Sequence, residues 1–359
     1  MTTHHSDPVR AEIRTLRTYA LSPESEVPVR AKLDFNESPY DVPAAVKERV
    51  LARLAERRWS VYPAFGAPRL KRAIADSIGR SPEEIAVGNG SGEVILAALS
   101  VFAGSGGSVL LAPPTFSLYA QMAAIAGAQP YLVARKGPEF SVETSAILSC
   151  LKADDRMVPL VCSPNNPTGG VVPLEQVSDV ARKAPIVLLD QAYVDFAAPE
   201  NDAISLLGST PNLVIFRTLS KAFSAAGFRI GYAVARPGLV REIEKAVLPF
   251  SVDLAAEELA LAVLDSPETA RATVATVVSE RDRVSAAMRA MGAIVADSQA
   301  NFLFFVPPGG DAPGVRSRLA EQGILIRDMT TVVPDRLRVT IGTPEQNDLF
   351  LSALKELPR

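Results

Sequence analysis

From residue 92 to residue 220 the chain alternates helix-like and strand-like segments, and this pattern limits its fold more than any other feature. "GEVILAALSVFA" has helical spacing, "GSVLLAPP" is a short apolar run, "YAQMAAIAGA" reads as a helix and "QPYLVA" as a strand. "RMVPLVCSP" is then a strand, "PLEQVSDVARKA" a helix, and "PIVLLD" and "NLVIFRTLS" are strands. Fully apolar strands spaced by amphipathic helices predict a mostly parallel sheet with both faces covered, hence an α/β architecture. From about Ser251 the texture changes. "AAEELALAVLD" and "ERDRVSAAMRAMG" read as helices, and "NFLFFVPP", "GILIRD" and "LRVTIGT" as short strands, the pattern of an α+β unit. The expected organisation is a large domain over residues 59–250 and a smaller one over 251–359. Residues 1–58, with the strand-like "AKLDFNESPY" and the helical "PAAVKERVLARLAERR", are expected to pack with the small domain. A length of 359 residues suits two domains.

Polar residues cluster past three strand ends, in "SPNNPTGG", "DQAY" and "TLSK". Open α/β sheets bind ligands at the carboxyl ends of their strands, so the three clusters are expected to converge. Lys221, set between Ser220 and small apolar residues after "NLVIF", needs an explanation, because burying an ammonium is costly unless it is paired or loses its proton. A lysine that forms a Schiff base with pyridoxal 5'-phosphate would supply one, and that cofactor also needs an acid opposite its ring nitrogen and a phosphate cradle. Asp190, ending "PIVLLD", is the candidate acid, with a turn or cap residue as the plainer reading. Thr218, Ser220 and Arg229 carry hydroxyls and a cation suited to phosphate oxygens. In "GNGSGEVIL" the backbone amides of Ser91, Gly92 and Glu93 open a helix and would face an anion. The run is not GxGxxG, which disfavours a dinucleotide site.

Other classes are set aside by composition. The only histidines, His4 and His5, stand at the start of the chain and read as a solvated terminus, so histidine-dependent triads are excluded and no metal is expected. Cys150 and Cys162 have neither disulfide-framework nor zinc-ligand spacing. With 37 basic and 40 acidic residues, a net charge of −3 and no basic stripe, nucleic acid is not an expected partner. The absence of an apolar leader or a membrane-length apolar run points to no membrane partner and to the cytosol.

In order and spacing, "SPNNPTGG", "LLDQAYVDF" and "TLSKAFSAAGFRIGY" resemble the signature blocks of fold-type I pyridoxal-phosphate aminotransferases, classes I and II. "DFNESPY", "VYP", "PPTFSLY", "NFLFF", "GILIRD" and "LRVTIGT" extend the likeness along nearly the whole chain to the histidinol-phosphate aminotransferase family. The resemblance implies the fold-type I architecture, a large α/β/α domain with a mostly parallel mixed sheet and a smaller α+β domain. It implies Lys221 as the Schiff-base lysine, Asp190 on the pyridine nitrogen, Asn166 and Tyr193 on the 3-oxygen, and Phe116 stacked on the ring. Arg338 matches a residue that grips the glutamate carboxylate, while Asn36 and Tyr19 match further substrate contacts. Arg327 matches a residue near the substrate phosphate, with an ion pair to Asp328 as the alternative. Family members are homodimers, and Tyr62 matches a tyrosine reaching the partner's cofactor phosphate; a loop anchor beside Pro63 is the alternative.

Two positions depart from the family pattern: Gly92, where an Asp is usual, and Gln191, where Glu usually follows the aspartate. The reaction implied is transamination between glutamate and imidazole acetol phosphate, with histidinol phosphate as product, in histidine biosynthesis. An aromatic or broad-range aminotransferase, a decarboxylase of a phosphorylated amino acid and a non-catalytic regulatory module are the alternatives.

Overall fold

The computed structural model describes residues 9–16, 18 and 27–356; Tyr19, His4 and His5 lie outside them. Its strands are β1 (Ala31–Leu33), β2 (Ile85–Asn89), β3 (Ser108–Leu111), β4 (Gln129–Leu132), β5 (Val158–Cys162) and β6 (Val187–Asp190). They continue with β7 (Leu213–Thr218), β8 (Ile230–Val234), β9 (Ile294–Val295), β10 (Phe302–Val306), β11 (Ile324–Asp328) and β12 (Leu337–Thr340).

Seven strands form the large sheet in the order β2-β8-β7-β6-β5-β3-β4. The run from β7 to β4 is parallel, while β8 lies antiparallel to both β7 and β2. Because β8 is reversed, its start at Ile230 meets the end of β7 at Thr218, so Arg229 reaches the rim where the parallel strands end. Alternate residues face opposite ways, as a pleated strand requires. Leu188, Val214 and Phe216 pack among residues of the helices Ser91–Phe102, Leu118–Ala126 and Pro237–Glu244. Leu189 and Ile215 pack on the other face among residues of Pro68–Ile78, Thr144–Ala153 and Leu174–Ala181.

The second sheet has the order β1-β11-β12-β10-β9. β1 is parallel to β11, with Ala31 opposite Ile324, and the other pairs are antiparallel. Leu33, Leu303, Phe305 and Val339 share a core with Val277 and Val284 of helix Pro267–Ala290, Leu319 of Ala312–Glu321 and Phe350 of Pro344–Glu356. Across the boundaries expected at 58/59 and 250/251 the core is continuous. Val46 and Val50 of helix Ala44–Ala55, and Leu259 and Val263 of helix Leu254–Leu264, pack into the cluster that holds Leu189. β1, by contrast, belongs to the small sheet. No helix among the described residues is long and apolar enough to cross a membrane.

Two glycines fix how β8 meets the helix that starts at Ser91. A Cβ on Gly231 would overlap the backbone of Gly90 and Ser91, and one on Gly90, at φ +79°, would overlap the Arg229 guanidinium. The strand, the helix start and the guanidinium are therefore in direct contact. Gly231→Ala should lower the unfolding free energy by about 1–3 kcal/mol, since the overlapped atoms are backbone and cannot swing away. Gly208→Ala, with nothing within 4 Å of the new Cβ, should stay within about 0.5 kcal/mol of wild type. Urea unfolding of the two variants checks the contrast.

Candidate active site

Lys221 follows the end of β7, and its Nζ donates to the carbonyl oxygen of Phe35 at 3.2 Å. Phe35 lies just past β1, so this bond joins the rim of the large sheet to the small one. Burial, then the neighbouring Arg338 charge, bring the Lys221 pKa down from 10.5 to about 7. Nζ also sits 5.7 Å above the centre of the Tyr193 ring.

Around that ring a chain of amides is closed by an arginine. The Tyr193 hydroxyl accepts from Asn36 Nδ2 at 3.0 Å and from Asn166 Nδ2 at 3.4 Å. Both contacts use oxygen lone pairs, which leaves the phenolic proton for a further acceptor. Burial raises the Tyr193 pKa to about 12, so that proton is retained at neutral pH. Arg338 donates to Asn166 Oδ1 at 2.6 Å and to the Asp34 carbonyl at 2.7 Å. Asn36, in the left-handed region at φ +55°, is held by Thr340 and Asn301 of the small unit.

Asp190 is buried at the end of β6, in register with Cys162 of β5. Its Oδ2 accepts from the Tyr119 hydroxyl at 2.5 Å and its Oδ1 from the Ala192 amide at 2.9 Å. Burial raises its pKa, while the Tyr119 and Ala192 bonds and the Lys221 charge oppose the rise. Phe116 meets Tyr119 edge-on, with centroids 5.3 Å apart. Reading the sequence missed Tyr119. Its only signal was the aromatic pair in "PPTFSLY", three residues apart at the start of a helix.

At the far end of β2 lies a cradle for an anion. Helix Ser91–Phe102 opens here, and its first-turn amides, those of Ser91, Gly92 and Glu93, have no intrahelical acceptors. The Glu93 carboxylate turns back to accept from the Asn89 amide at 2.5 Å, which leaves the helix start to backbone donors. Arg229, at φ +55°, lies against Gly90, and its Nη1 is 3.4 Å from Ser220 Oγ. Thr218 Oγ1 lies 2.8 Å from Ser220 Oγ and 2.9 Å from the Ile230 carbonyl, and it accepts from the Ser220 amide, holding Ser220 in place. A Cβ on Gly92 would meet only Met122 Cε within 4 Å, at 3.4 Å.

Of the other expected residues, Arg327 is the register partner of Arg338 across β11 and β12, and Tyr62 is at the surface. Tyr62 is 78% exposed and stacks on Phe250 with centroids 4.7 Å apart. The Arg327 guanidinium lies 5.6 Å from the centre of the Phe35 ring, beside the residue whose carbonyl holds Lys221. Gln191 is buried and tied to the segment that follows it. Its Nε2 donates to the Asn201 carbonyl at 2.7 Å, and its Oε1 accepts from Ala203 and Arg217 at 3.2 Å. Arg217 pairs with Asp202, so a neutral amide at position 191 leaves no uncompensated charge.

The donor set suits pyridoxal phosphate. A helix start beside a guanidinium, a buried carboxylate, two hydrogen-bonding polar side chains and a lysine with a lowered pKa match its phosphate, ring nitrogen, 3-oxygen and aldehyde.

The family model for aminotransferase class I and II matches residues 30–354. A histidinol-phosphate aminotransferase of Thermococcus kodakarensis is 36% identical over 348 residues, covering 97% of this chain and 98% of that protein. One of Thermobifida fusca is 35% identical, covering 97% of this chain and 94% of that protein. In structure, the histidinol-phosphate aminotransferase of Sinorhizobium meliloti, solved with pyridoxal-5'-phosphate, superposes with a TM-score of 0.87 at 23% identity, covering 98% of each chain. The chain belongs to the class I and II aminotransferase family, on its histidinol-phosphate aminotransferase branch.

Proposed function

We propose that the protein is a pyridoxal-phosphate-dependent transaminase that moves the amino group between glutamate and imidazole acetol phosphate, with 2-oxoglutarate and histidinol phosphate as the other pair, in histidine biosynthesis. The observation that carries this reading is the placement of Lys221, its pKa near 7, beside the Tyr193–Asn166–Arg338 chain. Near-full-length identity of about 36% to a histidinol-phosphate aminotransferase supports the substrate pair.

Ser91, Gly92 and Glu93 would hold the phosphate with their amides, together with Ser220 and Arg229. Asp190 would hold the ring nitrogen, Asn166 and Tyr193 the 3-oxygen, and Phe116 would cover a ring face. Bound there, the cofactor supplies an aldehyde for Schiff-base exchange with the substrate amine and a ring that takes up its electron pair. A lysine titrating near 7 is partly neutral at neutral pH, so Lys221 Nζ can take a proton from the substrate carbon and return it elsewhere. Tyr119 favours the ionised form of Asp190 by donating to it, which opposes the effect of burial. Arg338 would take the glutamate carboxylate and Arg327 the substrate phosphate, by guanidinium geometry. The strand ends of the large unit would thus hold the cofactor, and β11 and β12 of the small unit the substrate. Tyr19 and Asn36 would complete the substrate site, and the cytosol is the proposed compartment.

The test is a half-reaction. Glutamate and histidinol phosphate should each convert the absorbance of the pyridoxal-phosphate-loaded enzyme to that of its aminated form. Conversion by aromatic amino acids but not by histidinol phosphate would favour a broad-range aminotransferase.

The finer proposal on assembly is a homodimer. Trp59, Val61, Tyr62, Phe65, Leu248 and Phe250 are exposed, an apolar group that a second copy would cover. With Tyr62 crossing to the partner's phosphate, mixed dimers of Lys221→Ala and Tyr62→Phe subunits contain one site with both residues intact. Cofactor affinity at that site should recover towards wild type, regaining about 1.5–3 kcal/mol for a hydrogen bond to a charged group. No recovery in verified hybrids would reject the shared site.

A further inference from the structure

Arg135, three residues past β4, is 7% exposed, and no carboxylate among the described residues forms an ion pair with it. Among the described residues its side chain donates only to carbonyl oxygens. Nε bonds Ala112 at 3.1 Å, Nη2 bonds Cys162 at 3.2 Å, and Nη1 bonds Phe140 at 3.3 Å. Its backbone amide adds Pro113 at 2.7 Å. Burying a guanidinium with no counter-ion is expensive, so its persistence here asks for a use.

The bonded carbonyls mark what that use is. Ala112 and Pro113 begin the loop that carries Phe116 and leads to Tyr119. Cys162 begins the loop that carries Asn165 and Asn166, and is the register partner of Asp190. The two loops are joined once more by Thr115 Oγ1, which donates to Asn165 Oδ1 at 2.9 Å, and by Asn165 Nδ2, which donates to the Pro114 carbonyl at 2.9 Å. The third carbonyl, Phe140, belongs to a turn whose ring packs edge-on against Phe304 of the small unit, centroids 5.5 Å apart. One planar fork therefore ties together the end of β3, the end of β5 and the turn that meets β10.

We propose that Arg135 is a positioning residue for transamination, setting the Phe116–Tyr119 and Asn165–Asn166 loops against each other and placing a fixed positive charge behind the Tyr119–Asp190 pair. Burial brings its pKa down to about 10, and it remains charged at neutral pH. The polar groups nearest to it are the Tyr119 hydroxyl and the Cys162 thiol, both in contact with the Asp190 site.

The inference rests on the transaminase reading, and the wild-type enzyme in the glutamate half-reaction controls for it. If wild type fails to react, that reading is at fault; if wild type reacts and the variants match it, only the role of Arg135 is. Two variants separate fork from charge. Arg135→Lys keeps a cation but cannot make three divergent donations from one plane, and Arg135→Met removes the charge. Displacing the loops should slow the half-reaction at saturating glutamate by about 10- to 100-fold in both, as an ångström-scale misplacement does. Independently of turnover, the pH midpoint of the absorbance change of the pyridoxal-phosphate-loaded enzyme should rise by at least about half a unit in Arg135→Met. Losing a nearby positive charge favours the protonated form of the titrating group. Arg135→Lys should keep a midpoint near wild type while remaining slow. If Arg135→Met does not fold, Arg135→Lys carries the rate test. Folded variants with wild-type rate and midpoint would overturn the proposal.

Discussion

The hydrogen bond from Lys221 Nζ to the Phe35 carbonyl is the contact around which the rest of the molecule is arranged. It joins the end of a central strand in the large sheet to a residue just past the first strand of the small one. An ammonium in that position is buried, with Arg338 nearby as a like charge, and both facts favour losing the proton. The fold maintains the arrangement from both sides. β7 is buried between β6 and β8, and Asn36, next to Phe35, is tied to Thr340 and Asn301.

The two ends of the site are built by different physics. At the end proposed for the phosphate the means is backbone. A helix start, two glycines that permit close approach and one guanidinium make a cradle in which side-chain identity counts for little beyond Gly90, Arg229 and Gly231. At the ring end the means is side-chain hydrogen bonding in a buried setting. Tyr119 opposes the rise in the Asp190 pKa, and Asn36 and Asn166 fill the lone pairs of Tyr193 so that its proton is left over.

Much of this was legible in the sequence because polar residues at strand ends stand out against apolar strands. "SPNNPTGG", "LLDQAYVDF" and "TLSK" each mark the end of a strand that alternation alone suggests. What was not legible was orientation and contact. β8 reads as one more apolar run, and its reversed direction, which brings Arg229 to the rim, has no periodic signature. Arg135 follows the edge strand in "QPYLVARK" and looks like a surface residue; only the folded chain brings three carbonyls to it. The Gln191 departure was visible, but its meaning depended on Asp202 lying beside Arg217 in space. Helices Ala44–Ala55 and Leu254–Leu264, distant in sequence, share a core with the large sheet, a contact that local patterning does not encode.

The central claim is that the fold holds Lys221 with a lowered pKa before any substrate arrives, and the stability of the cofactor-free protein measures it directly. With a folded-state pKa of about 7 against an ordinary 10.5, the unfolded chain binds more protons between these values, so stability rises with pH across that interval. Lys221→Met removes this titration, so the difference between the two proteins across this pH range reports it. From pH 6 to pH 9, wild type should gain on Lys221→Met, by up to about 1.4 kcal/mol per pH unit above pH 7. A difference that stays constant over the range would mean that Lys221 titrates like an exposed lysine, and would contradict the account.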